Sequence, residues 1–312
     1  APSSSVSAAS PATASRSVTS GGPDGAASLA ASAASPPGSA KKLTVVAAEN
    51  FWGSIAAQLG GDRLAETSVI TNPATDPHDY EPTPADARTI ALAQYVIVNG
   101  IGYDPWAPKL IAANPVNGRV VLTVGDLVGV KDGGNPHRWY SPIDVHKVVD
   151  QITADYKRLD PADAGYFDAQ RTVYLNEGLS TYTGLIDAIK AQYAGVPVGA
   201  SESIFAPLAD ALGLKLLTPE TFLDAISEGT DPTAADKAAI DSQIKNKQIK
   251  VYVYNSQNAT PDVQAQVNAA KAQGIPVTTI TETLTPATAT FQDWQSAQLR
   301  ALQAALAQGT GK

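Results

Sequence analysis

Residues 95–100 have the sequence YVIVNG, a continuous apolar and aromatic run followed by Asn and Gly. A run of this kind that ends in turn-forming residues is typical of a strand buried on both faces of a parallel sheet. Residues 251–256, VYVYNS, have the same pattern. Because segments with helical periodicity alternate with such runs, the sequence predicts an α/β protein with parallel sheets.

Short β-rich runs predict further strands along the chain. The predicted strands cover residues 43–47, 67–71, 95–99, 120–123, 196–200, 215–217, 249–254 and 277–281. The helices between them have recognisable starts. In Thr83-Pro84-Ala85-Asp86, a hydroxyl for the N-cap precedes a proline at the first helical position, and an acid follows three residues after the cap.

The two halves of the chain follow one plan. Residues 47–61 (AAENFWGSIAAQLGG) parallel residues 200–214 (ASESIFAPLADALGL): small residues, a Glu, an aromatic residue and then a helical segment. Residues 81–86 (EPTPAD) likewise parallel residues 231–236 (DPTAAD). We therefore expect two pseudo-duplicated α/β lobes with parallel sheets.

One predicted helix is much longer than the others and covers residues 161–193. Its apolar residues recur at steps of three and four: Leu175, Leu179, Tyr182, Ile186, Ile189 and Tyr193. Such a stripe predicts one continuous buried face. We expect this helix to be rigid and to join an N-terminal lobe over residues 41–160 to a C-terminal lobe over residues 194–312.

The first forty residues differ in composition from the rest. Residues 1–40 consist almost entirely of Ala, Ser, Pro and Gly, which provide too little apolar surface to offset the entropy of ordering the backbone. We expect a disordered tether that holds the folded part away from a surface. Because the chain begins with Ala, we also expect that a signal peptide has been removed.

Composition excludes several classes of protein. The chain has 312 residues, a net charge of −8 and no cysteine, which rules out disulfide frameworks, thiolate metal sites and cysteine nucleophiles. The acidic balance argues against nucleic acid as a partner, because phosphates require a basic surface. No run of about 18 apolar residues is present, so no transmembrane helix is predicted.

Two of the three histidines have the same residue types around them. His78 lies in DPHDY and His137 in NPHRW, so each follows a proline and precedes an aromatic residue by two positions. Both come soon after predicted strands, where the loops of a parallel sheet carry functional side chains. A neutral imidazole can bind a metal, transfer a proton or act as a pH switch. His146 lies on a predicted helix without this frame, and we assign it no role.

Two glutamates are candidates for completing a metal site. The second half of the chain has no histidine, so carboxylates must supply any ligands there. Glu202 follows the strand predicted over 196–200, and Glu282 follows the strand predicted over 277–281. Both therefore lie at the carboxyl end of a strand, where a site between the lobes would form.

The sequence resembles the metal-binding solute-binding proteins of bacterial ABC importers. This is the zinc/manganese cluster, many of whose members are lipoproteins and some of which were first described as adhesins. The resemblance covers about residues 41–308 and is carried by DPHDYEPTP, NPHRW, the SE–F segment and TETL, joined by a long helix. It implies two α/β lobes bridged by one rigid helix, with one divalent metal ion held at the lobe interface.

The resemblance implies four metal ligands, namely His78, His137, Glu202 and Glu282. Many relatives have Asp at the fourth position, where this chain has Glu282. Many zinc importers have His at the third position, whereas manganese-type members have Glu, as Glu202 is here. We therefore expect Mn²⁺ in preference to Zn²⁺, although the Irving–Williams order by itself favours Zn²⁺.

Side chains near the two histidines are expected to support the site. Asp76 and Asn135 are candidates for hydrogen bonds to the rings, and Tyr80 and Trp139 are expected to shield the metal from solvent. Because a histidine must lose its proton to bind a metal, affinity is expected to fall as the pH drops through about 6. A stiff linking helix predicts release through modest shifts rather than wide opening.

The implied function is that of an extracytoplasmic, monomeric protein that delivers its metal to an ABC permease. A lipoprotein carries its lipid on an N-terminal Cys, which this chain lacks, so we expect that this residue was removed or that the protein is secreted free. The alternatives are a surface adhesin and a metal-dependent hydrolase. A hydrolase would need an open coordination position and a nearby general base, and neither HExxH nor GxSxG is present, so no enzyme activity is expected.

Overall fold

The structure is a computed structural model, and it describes residues 41–312. The tether predicted for residues 1–40 lies outside the described residues. Residues 41–312 cluster as one compact unit, so the lobe boundaries at residues 160 and 194 stay a prediction.

All of the predicted strands are present. In the described residues the strands are β1 (Leu43–Glu49), β2 (Leu64–Ile70), β3 (Tyr95–Val98), β4 (Val120–Thr123), β5 (Pro197–Ala200), β6 (Lys215–Leu216), β7 (Tyr252–Asn255) and β8 (Val277–Ile280). The α-helices there are α1 (Asn50–Gly60), α2 (Pro84–Leu92), α3 (Trp106–Ala113), α4 (Val124–Val128), α5 (Pro142–Leu159), α6 (Ala164–Val173), α7 (Ser180–Tyr193), α8 (Ala206–Ala211), α9 (Glu220–Ser227), α10 (Ala234–Lys245), α11 (Pro261–Ala272) and α12 (Phe291–Thr310).

The strands form two parallel sheets with the same order. The first sheet has the order β2-β1-β3-β4 and the second has the order β6-β5-β7-β8, and every pairing is parallel. In each sheet the chain builds outward in opposite directions from the central pair, β1/β3 or β5/β7. Such a switch point opens a crevice at the carboxyl ends of the central strands, which is where α/β proteins bind ligands.

Local capping also agrees between the two halves. The Thr83 side chain accepts from the backbone N–H of Asp86 at the start of α2, with Pro84 at the first helical position as predicted. Thr233 accepts from the backbone N–H of Asp236 at the start of α10. The α/β class with two parallel sheets is therefore confirmed, and the shared strand order and caps fit one plan used twice.

The helix predicted over residues 161–193 is present in pieces. A 3-10 turn (Pro161–Asp163) leads into α6, and a π-helical turn (Tyr174–Gly178) separates α6 from α7. The predicted stripe is buried on Leu179, Tyr182, Ile186, Ile189 and Tyr193 and partly buried on Leu175. Glycine has low helix propensity, so Gly178 is a suitable place for the regular helix to be interrupted. The rigid linking role of the segment stays a prediction.

The largest apolar core extends through both halves of the described chain. It includes Phe51 and Trp139 from the first half, and Phe205 and Trp294 from the second. Helix α12 packs against both α7 and α1. Among residues 41–312, none of the helices combines the length and the apolar composition that a membrane span requires.

Candidate metal centre

The four predicted ligands lie in loops near the carboxyl ends of strands. His78 lies in the loop between β2 and α2, and His137 lies in the loop that follows α4. Glu202 and Glu282 each come two residues after a strand, β5 and β8 respectively. His146, to which no role was assigned, is exposed on α5.

Three of these side chains are already together. His137, Glu202 and Glu282 each offer a ligand atom, and these atoms all lie within 4.8 Å of one another. The three residues are 0%, 1% and 6% exposed. Nε2 of His137 lies 3.7 Å from Oε2 of Glu282, and no group among residues 41–312 forms a hydrogen bond with this nitrogen. A buried lone pair beside two carboxylates is an arrangement that a cation could complete.

Asn135 sets the orientation of His137. Its Oδ1 accepts from the backbone N–H of His137 at 3.1 Å and lies 2.8 Å from Nδ1 of the ring. Because this oxygen can only accept, Nδ1 carries the proton and Nε2 keeps the lone pair. The Nδ2 group of Asn135 donates to the carbonyl of Ser203 at 2.7 Å, which ties the His137 loop to the turn that carries Glu202. The support predicted for Asn135 is present.

His78 is held in the same way but lies outside the cluster. Oδ1 of Asp76 accepts from the backbone N–H of His78 at 2.9 Å and lies 3.0 Å from Nδ1, as predicted for Asp76. The His78 side chain is 27% exposed, and its ring centroid lies 6.3 Å from that of His137. The structure therefore places the fourth predicted ligand next to the site, on a more exposed loop.

Neutral donors hold the two glutamates. Nδ2 of Asn255 donates to Oε1 of Glu202 at 3.2 Å and to Oε1 of Glu282 at 2.9 Å. Nδ2 of Asn258 donates to Oε2 of Glu202 at 2.8 Å, and the hydroxyl of Tyr103 donates to Oε2 of Glu282 at 2.8 Å. Sequence reasoning missed these three residues. The available signal for Asn255 was its place in VYVYNS, which matches Asn in YVIVNG.

Burial shifts the titration of all three clustered ligands. Desolvation raises the pKa of Glu202, and hydrogen bonds from its amide donors oppose that shift. Desolvation and then the charge of Glu202 raise the pKa of Glu282 well above its usual range. Desolvation lowers the pKa of His137 well below its usual value, and His78 and Arg138 lower it further. Burial therefore favours the neutral form of the histidine, and it favours a shared proton on the carboxyl pair wherever no cation is present.

Trp139 closes the site on the side of the first sheet. It is fully buried, its ring centroid lies 5.3 Å from that of His137, and it stacks on Phe51 at 3.9 Å. The shielding role predicted for Trp139 agrees with this position.

The prediction for Tyr80 needs correction. Its ring packs edge-on against Trp106 at 5.1 Å, and its hydroxyl donates to the carboxylate of Asp86 at 2.7 Å. Tyr80 thus anchors the loop to the start of α2. The ring that lies beside His78, with centroids 4.6 Å apart, belongs to Tyr103.

Glu49 has the position in the first sheet that Glu202 has in the second. It is fully buried, and neither carboxylate oxygen has a donor among residues 41–312. Asp104 faces it, and the carboxylate of Asp104 accepts from the backbone N–H groups of Asn99 and Gly100 at 2.7 and 2.9 Å. Desolvation and the charge of Asp104 raise the pKa of Glu49 well above its usual value. Burial without a donor therefore favours the neutral form of Glu49.

A cavity of about 530 Å³ lies beside the cluster. Its lining includes His78 together with Asn135 and Ser203, the residues that orient or adjoin the other ligands. The metal centre therefore has a neighbouring space on the side of the exposed histidine.

The paired sheets and the buried nitrogen-and-carboxylate cluster define a two-lobed α/β protein with a candidate metal centre. The family described as the periplasmic component A of the zinc-uptake complex, ZnuA, matches residues 45–305. The chain belongs to this family.

Curated relatives of the chain bind different metals. The manganese-binding lipoprotein MntA of Halalkalibacterium halodurans is 28% identical over 138 residues, which cover 43% of this chain and 46% of that protein. The zinc-binding lipoprotein AdcA of Streptococcus pneumoniae is 26% identical over 278 residues, which cover 79% of this chain and 52% of that protein. The chain thus spans about half the length of these relatives. Both names describe metal binding rather than an enzyme, as expected from the sequence.

A solved structure has the same fold. The Mn-bound periplasmic metal-binding protein from Candidatus Liberibacter asiaticus superposes with a TM-score of 0.70 at 22% identity, covering 85% of this chain and 100% of that chain. This likeness independently supports the two-lobed α/β architecture.

Proposed function

We propose that the protein is an extracytoplasmic solute-binding protein, which captures one divalent transition metal ion and delivers it to an ABC permease. The observation that carries the proposal is the buried cluster of His137, Glu202 and Glu282, whose ligand atoms lie within 4.8 Å of one another. Two buried carboxylates without a cationic partner are costly unless a cation neutralises them. The family's name and the names of its lipoprotein relatives support a location outside the cytoplasm.

His78 is the fourth ligand in this proposal. Its Nδ1 faces Asp76, so Nε2 has the lone pair that a metal requires. Two neutral imidazoles and two carboxylates together neutralise a divalent cation. Three ligands are in place before the ion arrives, and His78 closes the coordination from its exposed loop.

Mn²⁺ is the proposed physiological ion, in preference to Zn²⁺. Nitrogen and oxygen donors without sulfur suit both ions, and the Irving–Williams order favours Zn²⁺ in intrinsic affinity. Two glutamates, each able to bind through both oxygens, would allow the higher coordination numbers that Mn²⁺ accepts. Selectivity would then depend on geometry and on the supply of each metal.

Elemental analysis and competitive titration test the proposal. Protein purified without added metal should contain a divalent transition metal at near-stoichiometric level, and the chelator-treated protein should bind Mn²⁺ and Zn²⁺ again. Glu202→Ala and Glu282→Ala should each lower the affinity by about 100-fold or more, since even residues behind the ligands contribute about 10–100-fold.

Glu177→Ala is the matched control, because Glu177 is an exposed glutamate on the π-helical turn. Its affinity should equal that of the wild type. The absence of any bound metal in the wild type would end the proposal, and unchanged affinity in Glu282→Ala would show that another oxygen takes the place of Glu282.

A further inference from the structure

The loop that carries His78 has few attachments. Within residues 72–79 only Pro77 is buried. The backbone N–H groups of Ala74 and Thr75 donate to Asn72 in the same loop. Among residues 41–312, the one hydrogen bond that joins residues 72–79 to another element comes from Gln257.

Gln257 joins this loop to the loop of Glu282. Its Nε2 group donates to the carbonyl of Pro73. Its Oε1 accepts from the backbone N–H of Glu282 at 2.5 Å and from that of Thr283 at 3.2 Å. One amide therefore spans the gap between a histidine-bearing loop of the first half and a glutamate-bearing loop of the second.

The chemistry of the neighbours fixes the orientation of this amide. The carbonyl of Pro73 can only accept, and the two backbone N–H groups can only donate. The backbone N–H of Gln257 also donates to Oδ1 of Asn255 at 2.9 Å, the residue whose amide bridges both glutamates. The base of the Gln257 side chain is thereby anchored to the metal centre.

A small space separates the two loops that Gln257 joins. A cavity of about 50 Å³ is lined by Pro73, His78, Gln257 and Glu282 among others. This is room for one or two water molecules. The hydroxyl of Tyr80 donates to Asp86 of α2 and anchors the far end of the loop, so His78 lies on a segment that is held at Pro73 and at Tyr80.

We propose that Gln257 is a positioning residue for metal retention. It straps the His78 loop to the Glu282 loop, so that His78 moves over a short path onto the cluster instead of swinging away from it. The inference rests on the metal-binding part of the proposed function. It predicts that loss of the strap accelerates release of the ion much more than it slows capture.

Gln257→Leu keeps a side chain of similar size but removes both the donor to Pro73 and the acceptor for the N–H groups of Glu282 and Thr283. Mixing the metal-loaded protein with excess chelator should show release of Mn²⁺ about tenfold faster than from the wild type, because one of the lost hydrogen bonds, the contact with Pro73, is the one that holds the His78 loop. The association rate should change by less than about twofold, because the ligands themselves are intact. In the metal-free protein, amide hydrogen exchange within residues 74–79 should be faster.

Gln257→Glu tests the contact with Pro73 apart from the contacts with Glu282 and Thr283. It keeps an acceptor for the N–H groups of Glu282 and Thr283 but places an oxygen against the carbonyl of Pro73. The added negative charge would by itself slow the release of a cation. Gln257→Glu also loses the 3.4 Å contact from Nε2 to the hydroxyl of Thr283, but that contact lies within the Glu282 loop. Faster exchange within residues 74–79 together with faster release would therefore report loss of the contact with Pro73.

Gln264→Leu is the matched control, since Gln264 is exposed on α11 and its side chain forms a hydrogen bond only with Asn268 among residues 41–312. It should match the wild type in release and exchange. Wild-type release together with unchanged exchange within residues 74–79 in both Gln257 variants would overturn the strap. A wild type that binds no metal would instead refute the proposed function, and the exchange comparison in the metal-free protein would still decide whether the strap holds the loop.

Discussion

Neutral side chains, rather than cationic ones, hold the two candidate glutamate ligands. Asn255, Asn258 and Tyr103 orient the carboxylates through hydrogen bonds. A Lys or Arg at these positions would neutralise the charge that attracts a metal, whereas an amide or hydroxyl leaves it in place. In the metal-free protein the same charge is relieved by a proton, so protons and metal ions compete for the same oxygens.

The affinity for metal should therefore rise with pH. Because the pKa values of Glu202 and Glu282 are raised, the metal-free site retains protons above the ordinary glutamate range, and each must leave when the ion binds. The pKa of His137 is lowered, so its ring does not add to this competition. Competitive titrations from about pH 8 to about pH 5 should show up to a tenfold loss of affinity per pH unit for each proton displaced.

A loss of affinity of this size would assign the pH dependence to different residues from those that the sequence predicts. The sequence assigns proton competition to the histidines, whereas burial lowers the pKa of His137 and transfers its share of the competition to the carboxyl pair. Glu282→Gln should flatten the profile while lowering the affinity. A profile that is level between about pH 5 and pH 8 in the wild type would contradict the assignment.

At the scale of elements, β1 and β5 each lead into a buried glutamate, but the two glutamates have different surroundings. Glu49 lies at the end of β1 with Asp104 as its neighbour, and two facing carboxyls can form a hydrogen bond only when one keeps its proton. Glu202 follows β5 among amide donors and beside a histidine. The same strand end thus gives a neutral acid in one sheet and a candidate metal ligand in the other.

Glu49→Gln should stabilise the protein at neutral pH. The pKa of Glu49 is raised in the folded state, so the folded protein binds a proton that the unfolded chain releases above about pH 4.5. The free energy of unfolding therefore falls as the pH rises from that value toward the raised pKa, by about 1.4 kcal/mol per pH unit for one proton. A glutamine has the shape of the protonated acid and does not titrate.

Thermal unfolding at pH 4 and at pH 7.5 measures the difference. The variant should unfold at a higher temperature than the wild type at pH 7.5, and the advantage should shrink at pH 4. Glu177→Gln, at an exposed glutamate on the π-helical turn, controls for the loss of one negative charge. Equal pH dependence in Glu49→Gln and the wild type would show that Glu49 is ionised in the folded protein.

The sequence predicts a strand or helix well when contacts between residues close in sequence form it, and less well when distant residues set its ends. Apolar runs such as residues 95–98 predict central strands correctly, since both faces are buried. β2 begins at Leu64 rather than residue 67 because pairing of Leu64 with Leu43 extends it through partly exposed residues. Periodicity also cannot reveal the π-helical turn at Tyr174–Gly178, which leaves the apolar spacing intact.

The residues of the candidate site also fall into two groups, those that local sequence predicts and those that it does not. The repeated Pro-His frames identify His78 and His137 locally, and the predicted support from Asp76 and Asn135 lies only two residues away. Tyr103 and Gln257 contact groups that are distant in sequence, so no local pattern could assign them, and Asn255 is marked only by its match to the Asn of residues 95–100.

At the scale of the whole described unit, contacts between the halves oppose wide opening. The hydroxyl of Tyr140 donates to the carbonyl of Thr281 at 2.8 Å, and the backbone N–H of Leu284 donates to Oδ1 of Asn50 at 3.3 Å. The apolar core is continuous beneath them. Separating the lobes would expose this core, whereas shifting a loop would not.

Metal binding should therefore change distances between the lobes only slightly. The chain has no native cysteine, so Lys109→Cys on α3 and Lys245→Cys on α10 provide two unique sites for spin labels. Their mean separation should change by less than about 3 Å when metal is added. A change several times larger would reveal a hinge motion and remove the basis for release through loops.

The stacking of Trp139 on Phe51, with one edge toward His137, also has an optical consequence. An indole so close to the cluster is a natural fluorophore that reports on the electronic state of whatever ion binds there. Zn²⁺ has a filled d shell and no redox chemistry, whereas Mn²⁺ has unpaired d electrons that can quench such emission. Because the chain has four tryptophans, the difference in emission between the wild type and Trp139→Phe would report which of the two metals is bound, without any added label.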